Sequence, residues 1–294
     1  MRTYPTGIYW SIAPLYLEQL RKWNPLATVD AAAIQAVAAV PLQVDKGVAL
    51  IRIAGVMDKS PSLFMALFGG TSTALVGQAV RQAANDASVK AIVLSIDSPG
   101  GSVDGLPELA DEVARAKAAK PVLAQVDGTA ASAAYYVASQ AGQVFAGRMD
   151  HVGSIGTVVQ GYDFSKKFEA DGIEAVNISS GDYKGMGMEG AELTAEHRAL
   201  LQRIVDAHAA DFRAMVKRGR PQVDIDAVSD GRVYLAQEAL ANGLIDGIQT
   251  IDQTIAQALD VRTTNLGARA DALIALSRAE SRTPAETGHI AGPA

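Results

Sequence analysis

From Val48 onward the chain alternates short apolar runs rich in β-branched residues with stretches of helical periodicity, and this alternation limits the fold more than any other feature. Val48 to Val56 reads as a strand, Leu75 to Ala87 as a helix and Ala91 to Ile96 as a buried strand. A helix near Leu106 to Ala118, a strand at Val122 to Val126 and a helix from about Ser132 to Ala141 follow. Further strands are expected near Val144 to Ala146, Gly156 to Gln160 and Ile173 to Ile178. Strands alternating with helices predict a layered α/β domain. Apolar material is ample, since 49% of the 294 residues are hydrophobic, which excludes a disordered chain and a small scaffold held by staples.

The flanks differ from this central region. Residues 1–45 carry Pro5, Pro14, Pro25 and Pro41 without a strand pattern, predicting an N-terminal arm of short helical pieces, free to contact a partner or a sister subunit. Residues 46–259 form the main domain. Within it, Thr194 to Val216 reads as a long amphipathic helix whose buried stripe is Leu201, Ile204, Val205, His208, Phe212 and Met215. Thr194 suits its N-cap and Glu196 its positive first turn. Gly243 ends a later helix that begins near Leu235. Residues 260–294 are expected to be a tail, weakly ordered or helical.

Several function classes are disfavoured. Lys plus Arg number 26 against 32 Asp plus Glu, a net charge of −6, so no positive field exists to hold a nucleic acid. The chain has no Cys and hence no disulfide, thiolate nucleophile or thiolate metal site. Its N-terminus shows no export signal, and the apolar stretch Ala31 to Leu42 is interrupted by Gln35 and Pro41 and is shorter than the roughly 20 residues a membrane span needs. A soluble, cytoplasmic protein without a membrane anchor is expected.

Two small-residue segments carry candidate chemistry. Asp97-Ser98-Pro99-Gly100-Gly101-Ser102 follows a buried strand, where the glycines allow a tight turn and can aim N–H groups at an anion. An ordinary strand-to-helix turn is the plainer reading, and phosphate binding is disfavoured because the Lys-Ser/Thr of a nucleotide loop is missing. Asp127-Gly128-Thr129-Ala130-Ala131-Ser132-Ala133-Ala134 also follows a strand and opens a helix. Ser132 there is either a helix cap or a nucleophile whose own backbone N–H helps hold an oxyanion. A serine nucleophile needs a base. Of the four histidines only His151 is a candidate, while Lys184, in the small-residue loop Ser179 to Gly187, offers the Ser-Lys alternative. A lysine at its reference pKa of about 10.4 must be held neutral against roughly 4 to 5 kcal/mol, which burial against apolar groups can supply.

Taken together and in order, these segments resemble the signal peptide peptidase A family of serine peptidases. The matching pieces are Asp97-Ser98-Pro99-Gly100-Gly101, Ala130 to Tyr136, Gly153-Ser154-Ile155-Gly156, Tyr183-Lys184, Gly231 to Tyr234 and Ala239 to Asp246. The resemblance implies a Clp/crotonase-like layered fold of repeated ββα units, with the N-terminal arm and a C-terminal helical extension added. It makes Ser132 the nucleophile, Lys184 the general base and Ser154 the residue that orients the lysine amine. The oxyanion hole would come from the backbone N–H groups of Ser132 and of the Gly100-Gly101 pair, Gly101 preferred. Clp-type peptidases use a histidine where this sequence has Thr157, which favours the Ser-Lys version.

Such a mechanism needs no cofactor and no metal. It implies protein or peptide substrates and a homo-oligomer enclosing the sites. Without an anchor, and with an arm such as Trp10 to Leu17, the chain looks like the head-maturation proteases of tailed phages, which process scaffold and capsid proteins in the host cytoplasm or immature capsid. Other readings are a bacterial cytoplasmic signal-peptide-peptidase-like protease, a non-proteolytic crotonase-like acyl-thioester enzyme and an inactive assembly protein. The apolar loop Ser60 to Gly70 is a substrate wall, a subunit contact or core packing, and the tail after Asp260 is a candidate for self-trimming.

Overall fold

The computed structural model describes residues 10–12, 39–61, 65 and 69–260. The alternation seen in the sequence forms a parallel sheet built from three long strands. β2 (Leu42–Asp45) and β3 (Val48–Ala54) form an antiparallel hairpin through Lys46 and Gly47. β3 then pairs in parallel with β6 (Ala91–Ser98), and β6 with β8 (Val122–Ala131). The length of β8 lets it hold two further strands in succession. Its first half pairs with β9 (Gln143–Ala146) and its second with β10 (His151–Gly153). β11 (Val233–Leu235) closes the order antiparallel to β10, and β12 (Gly247–Ile248) lies beside β9.

A second sheet of four short strands runs β1 (Trp10–Ile12), β7 (Gly100–Ser102), β4 (Val56–Asp58), β5 (Gly70–Ser72). Two long strands feed it directly: β3 breaks at Gly55 and continues as β4, and β6 breaks at Pro99 and continues as β7. Each leads on to a helix, α1 (Thr73–Asn85) and α2 (Leu106–Ala119), which gives the expected repeat of strand, strand and helix. In the third unit β8 passes straight into α3 (Ala133–Ala138). Gly101 holds the two strands of the repeat together. A Cβ placed there would stand 1.8 Å from the Met57 carbonyl oxygen, so only glycine allows β7 to approach β4 this closely.

Alternation along the long strands divides the core between two faces. Ile92, Leu94 and Ile96 join Ile51, Ile53, Val76, Val80, Leu109 and Val113 under α1 and α2. Ala91, Val93, Leu123 and Phe145 point the other way and meet Ala258 of the helix at 251–260. Burial on both faces explains why these strands read as continuous apolar runs. Ser72 caps α1 by accepting from the Leu75 N–H at 3.3 Å.

The segment beyond β10 departs from expectation. Gly156 to Gln160 contains only an isolated bridge at Val158, and Ile173 to Ile178 forms no strand, although helix α4 (Ser165–Ala170) lies between them. β-branched residues make a strand only where a neighbour accepts the ladder, and Val176 and Ile178 are 72% and 96% exposed. The long helix α5 (Ala195–Gly219) forms as predicted, with Thr194 accepting from the His197 N–H. Its predicted stripe is buried only at Phe212 and Met215, joined by Val216, while Leu201, Ile204, Val205 and His208 stay partly open. From Gly156 to Asp211 no residue is buried.

Beyond Phe212 the chain returns to the body through α6 (Ile225–Val228) and α7 (Ala236–Ala241). Arg220 locks this return. Its guanidinium reaches both Asp246 carboxylate oxygens at 2.7 and 2.8 Å and also the Gly243 carbonyl, while Asp246 accepts the Val144 N–H of β9 at 2.7 Å. Where the sequence predicts helical pieces in the arm, its described parts form β1 and β2; the rest of the arm, Leu63, Phe64, Leu67 and Phe68 of the Ser60 to Gly70 loop, and the tail after Asp260 lie outside the described residues. Met65 of that loop is fully buried, as core packing requires. Among the described residues no helix is long and apolar enough to cross a membrane.

The Arg220 side chain is 4% exposed, so Arg220→Ala leaves the Asp246 carboxylate without its main partner. It should cost about 3 kcal/mol in denaturant unfolding. An unchanged midpoint would show that this clamp contributes nothing.

Candidate active site

The parallel pairing of β8 with β10 sets Ala131 opposite Gly153. The residues that follow, Ser132 and Ser154, therefore leave the sheet side by side. Both adopt a left-handed φ, 54° at Ser132 and 53° at Ser154. Among the described residues the one other non-glycine with positive φ is Lys46 in the β2–β3 turn. Such a conformation costs a side-chain-bearing residue about 1–3 kcal/mol and persists only where its surroundings fix it. Here the fixing is visible. The Ser132 N–H donates to the Gly153 carbonyl at 2.7 Å, the Ser154 N–H donates to the Arg232 carbonyl at 2.7 Å, and the Ser132 carbonyl accepts from the Tyr136 N–H in the first turn of α3.

Ser132 is 1% and Ser154 6% exposed, and Ala130, Ala131, Ala133 and Ala134 around Ser132 are fully buried. The crowding of small residues read from the sequence is thus a tight backbone junction. α3 packs against β7, which brings the glycine segment to the same end of the sheet. The two glycines differ in availability. Ser98 Oγ donates to the Gly55 carbonyl at 2.7 Å and accepts the Gly100 N–H at 3.2 Å, so Gly101 is the member of the pair without such a side-chain bond.

One expectation needs correction. The Ser132 N–H was a predicted oxyanion donor, yet it is committed to Gly153. The next N–H, at Ala133, begins α3, where helical N–H groups have no intrahelical acceptor. The sequence carries no signal for the Ala133 N–H, because the direction of a backbone group depends on the β8–β10 register. An alanine side chain gives no signal of that.

Lys184 does not share the burial of the two serines. It occupies the turn at 182–187, its N–H donates to the Gly181 carbonyl at 3.0 Å, and its side chain is exposed. The same turn is tied to the start of α5, where the His197 ring bonds the Asp182 carbonyl at 3.1 Å and lies edge-on to Tyr183. His151, the other candidate base, is exposed at the start of β10.

A cavity of about 40 Å³ lies between α3 and α5, lined by Val103, Leu106, Tyr136, Thr157, Asp211 and Phe212. The Tyr136 hydroxyl donates to Asp211 Oδ2 at 2.6 Å. Burial, reinforced by this bond to a carboxylate, pushes the Tyr136 ionisation well above the usual tyrosine range. Tyr136 therefore remains a neutral donor on the cavity wall.

Comparison with known proteins bears on this arrangement. The model of peptidase family S49 matches residues 114–264, a stretch containing Ser132, Ser154 and Lys184. Capsid assembly protease C of Escherichia phage lambda is 30% identical over 228 residues, covering 76% of this chain and 52% of that protein. Protease 4 of Salmonella typhi is 32% identical over 196 residues, 66% of this chain and 31% of its own length. The chloroplastic serine protease SPPA of Arabidopsis thaliana is 30% identical over 208 residues, 70% and 31%. The chain thus spans between about a third and about a half of the length of these relatives. A solved enoyl-CoA hydratase/isomerase family member aligns at 15% identity with a TM-score of 0.46, covering 76% of this chain and 74% of that one, a likeness too distant to bear on the site. With the family match extending over just over half of its residues, the chain belongs to peptidase family S49.

Proposed function

We propose that this chain is a serine endopeptidase in which Ser132 is the nucleophile and Lys184 the general base. The observation that carries the reading is the strained, buried Ser132 at the β8–α3 junction, held beside Ser154 and against the glycine strand β7. A hydroxyl fixed this way loses little further freedom when it attacks a bound carbonyl.

In the reaction, the neutral Lys184 amine takes the Ser132 hydroxyl proton as Oγ bonds to the peptide carbonyl carbon. The Gly101 and Ala133 N–H groups hold the oxyanion, each contributing about 3 to 4 kcal/mol. Collapse breaks the C–N bond, and Lys184 returns the proton to the departing amine. Water, deprotonated by the same lysine, then hydrolyses the acyl-enzyme. Ser154 orients the amine through its hydroxyl.

This chemistry requires Lys184 to leave water, and the single chain leaves it in water. Seven large apolar residues on the segment bearing it, namely Val158, Tyr162, Ile173, Val176, Ile178, Tyr183 and Met188, are 39% to 96% exposed. So many uncovered apolar groups on one segment indicate a partner surface. In our reading that partner is a second copy of the chain, and assembly withdraws the lysine from solvent while it encloses the site. Similarity to the lambda capsid assembly protease supports scaffold and capsid proteins as the substrates, with processing in the host cytoplasm or immature capsid.

Ser132→Ala and Lys184→Ala should each reduce casein cleavage by about a thousandfold or more, and Ser154→Ala by less. Near-normal turnover by either of the first two would refute the dyad. Ile178→Asp alters a side chain that is 96% exposed in the single chain, so it should leave the far-UV circular dichroism unchanged while abolishing both assembly and cleavage. Full activity from a species that sedimentation shows to be monomeric would exclude the role given to assembly. Because alanine keeps the strain at position 132 and glycine relieves it, Ser132→Gly should be about 1 kcal/mol more stable than Ser132→Ala in denaturant unfolding.

A further inference from the structure

We propose that Trp10–Ile12 is a built-in peptide ligand of the candidate active site, lying as a pseudosubstrate strand along β7 and excluding other peptides until displaced. The inference rests on the peptidase reading for the use of that edge, while the occupancy follows from strand topology.

β7 has two sides. Its Gly101 pairs in parallel with Met57 of β4 on one of them. On the other, β1 runs antiparallel with Trp10 opposite Ser102, Ser11 opposite Gly101 and Ile12 opposite Gly100. Every residue of β7 is thereby matched, and Ser11 stands in register with the proposed oxyanion donor. A substrate that joins the sheet as an added strand needs a free strand edge, and β4 already holds the alternative. Removing β1 would make β7 an edge strand with unpaired backbone groups directly beside α3 and Ser132.

The edge is also poor at discriminating. Two of its three residues are glycines and all three are buried, so recognition along it depends on backbone hydrogen bonds that any extended segment can make. Under that condition a segment of the same chain has the advantage, because tethering replaces its bulk concentration with a much higher effective one. Competition of this kind raises the apparent KM for an added peptide and leaves kcat unchanged.

Proline lacks the N–H a ladder needs, so Ser11→Pro and Ile12→Pro between them remove whichever β1 donor faces β7. In the Ser132→Ala background, amide exchange at 100–102 should accelerate in at least one of these variants. That variant should also bind a fluorescent peptide copying residues 5–17 about tenfold or more tightly than Ser132→Ala alone. With Ser132 intact, the same variant should show a lower KM for casein-derived peptides at constant kcat. Unchanged exchange together with equal peptide affinity would overturn the proposal. Cleavage of the wild-type chain within Trp10–Ile12, seen by intact mass, would also overturn it by making the segment a substrate. If no form hydrolyses any peptide, the peptidase reading fails, and exchange and peptide binding in the Ser132→Ala background still decide whether β1 occupies the edge.

Discussion

One hydrogen bond organises the candidate site: the Ser132 N–H to the Gly153 carbonyl. It extends the β8–β10 ladder by one residue past Ala131, at the point where β8 turns into α3. That extension holds Ser132 at positive φ and sets Ser154 beside it. The same bond redistributes the donors around the hydroxyl. With the serine's own N–H used in the ladder, the oxyanion donors proposed above are its helical neighbour and the glycine strand that α3 packs against. A slip of β8 against β10 by a single residue would dismantle all of this, since alternate residues of a strand face opposite ways. β8 is held against such a slip by its ladders with β6 and β9 and by its buried residues, Ala124 and Val126 on one face and Leu123 on the other.

What could be read from the sequence followed from what fixes each element. The long strands, α1, α2 and α5 with its Thr194 cap were legible because buried periodicity and capping chemistry are local signals. Ser132, Gly101 and Ser154 were legible as small-residue motifs, and the fold brings them to one end of the sheet. The second sheet was not, because its strands are three residues each and exist through cross-chain pairing, as the β1–β7 and β4–β7 ladders show. Ile173 to Ile178 was misread for a related reason. Its composition is that of a strand, yet no neighbouring strand pairs with it in the isolated chain. Ala133 was invisible because backbone direction is a property of register.

The molecule therefore has two parts with different physics. The body carries the serine side of the site on rigid, buried elements. The stretch from Gly156 to Asp211 carries the lysine and buries nothing. On the function proposed above, the exposed apolar groups of this second part are what a partner surface would cover.

The helix at 251–260 bears on how much of the C-terminal region the body can lose. Ala258 seals the rear of the sheet over Val93, Leu123 and Phe145, and Thr254 is buried against Gln125 of β8. The helix that forms this back plate is described as far as Asp260. A cut a few residues earlier would peel it away and wet the reverse side of the strand that presents Ser132, so the tolerable limit of C-terminal trimming is written into the packing.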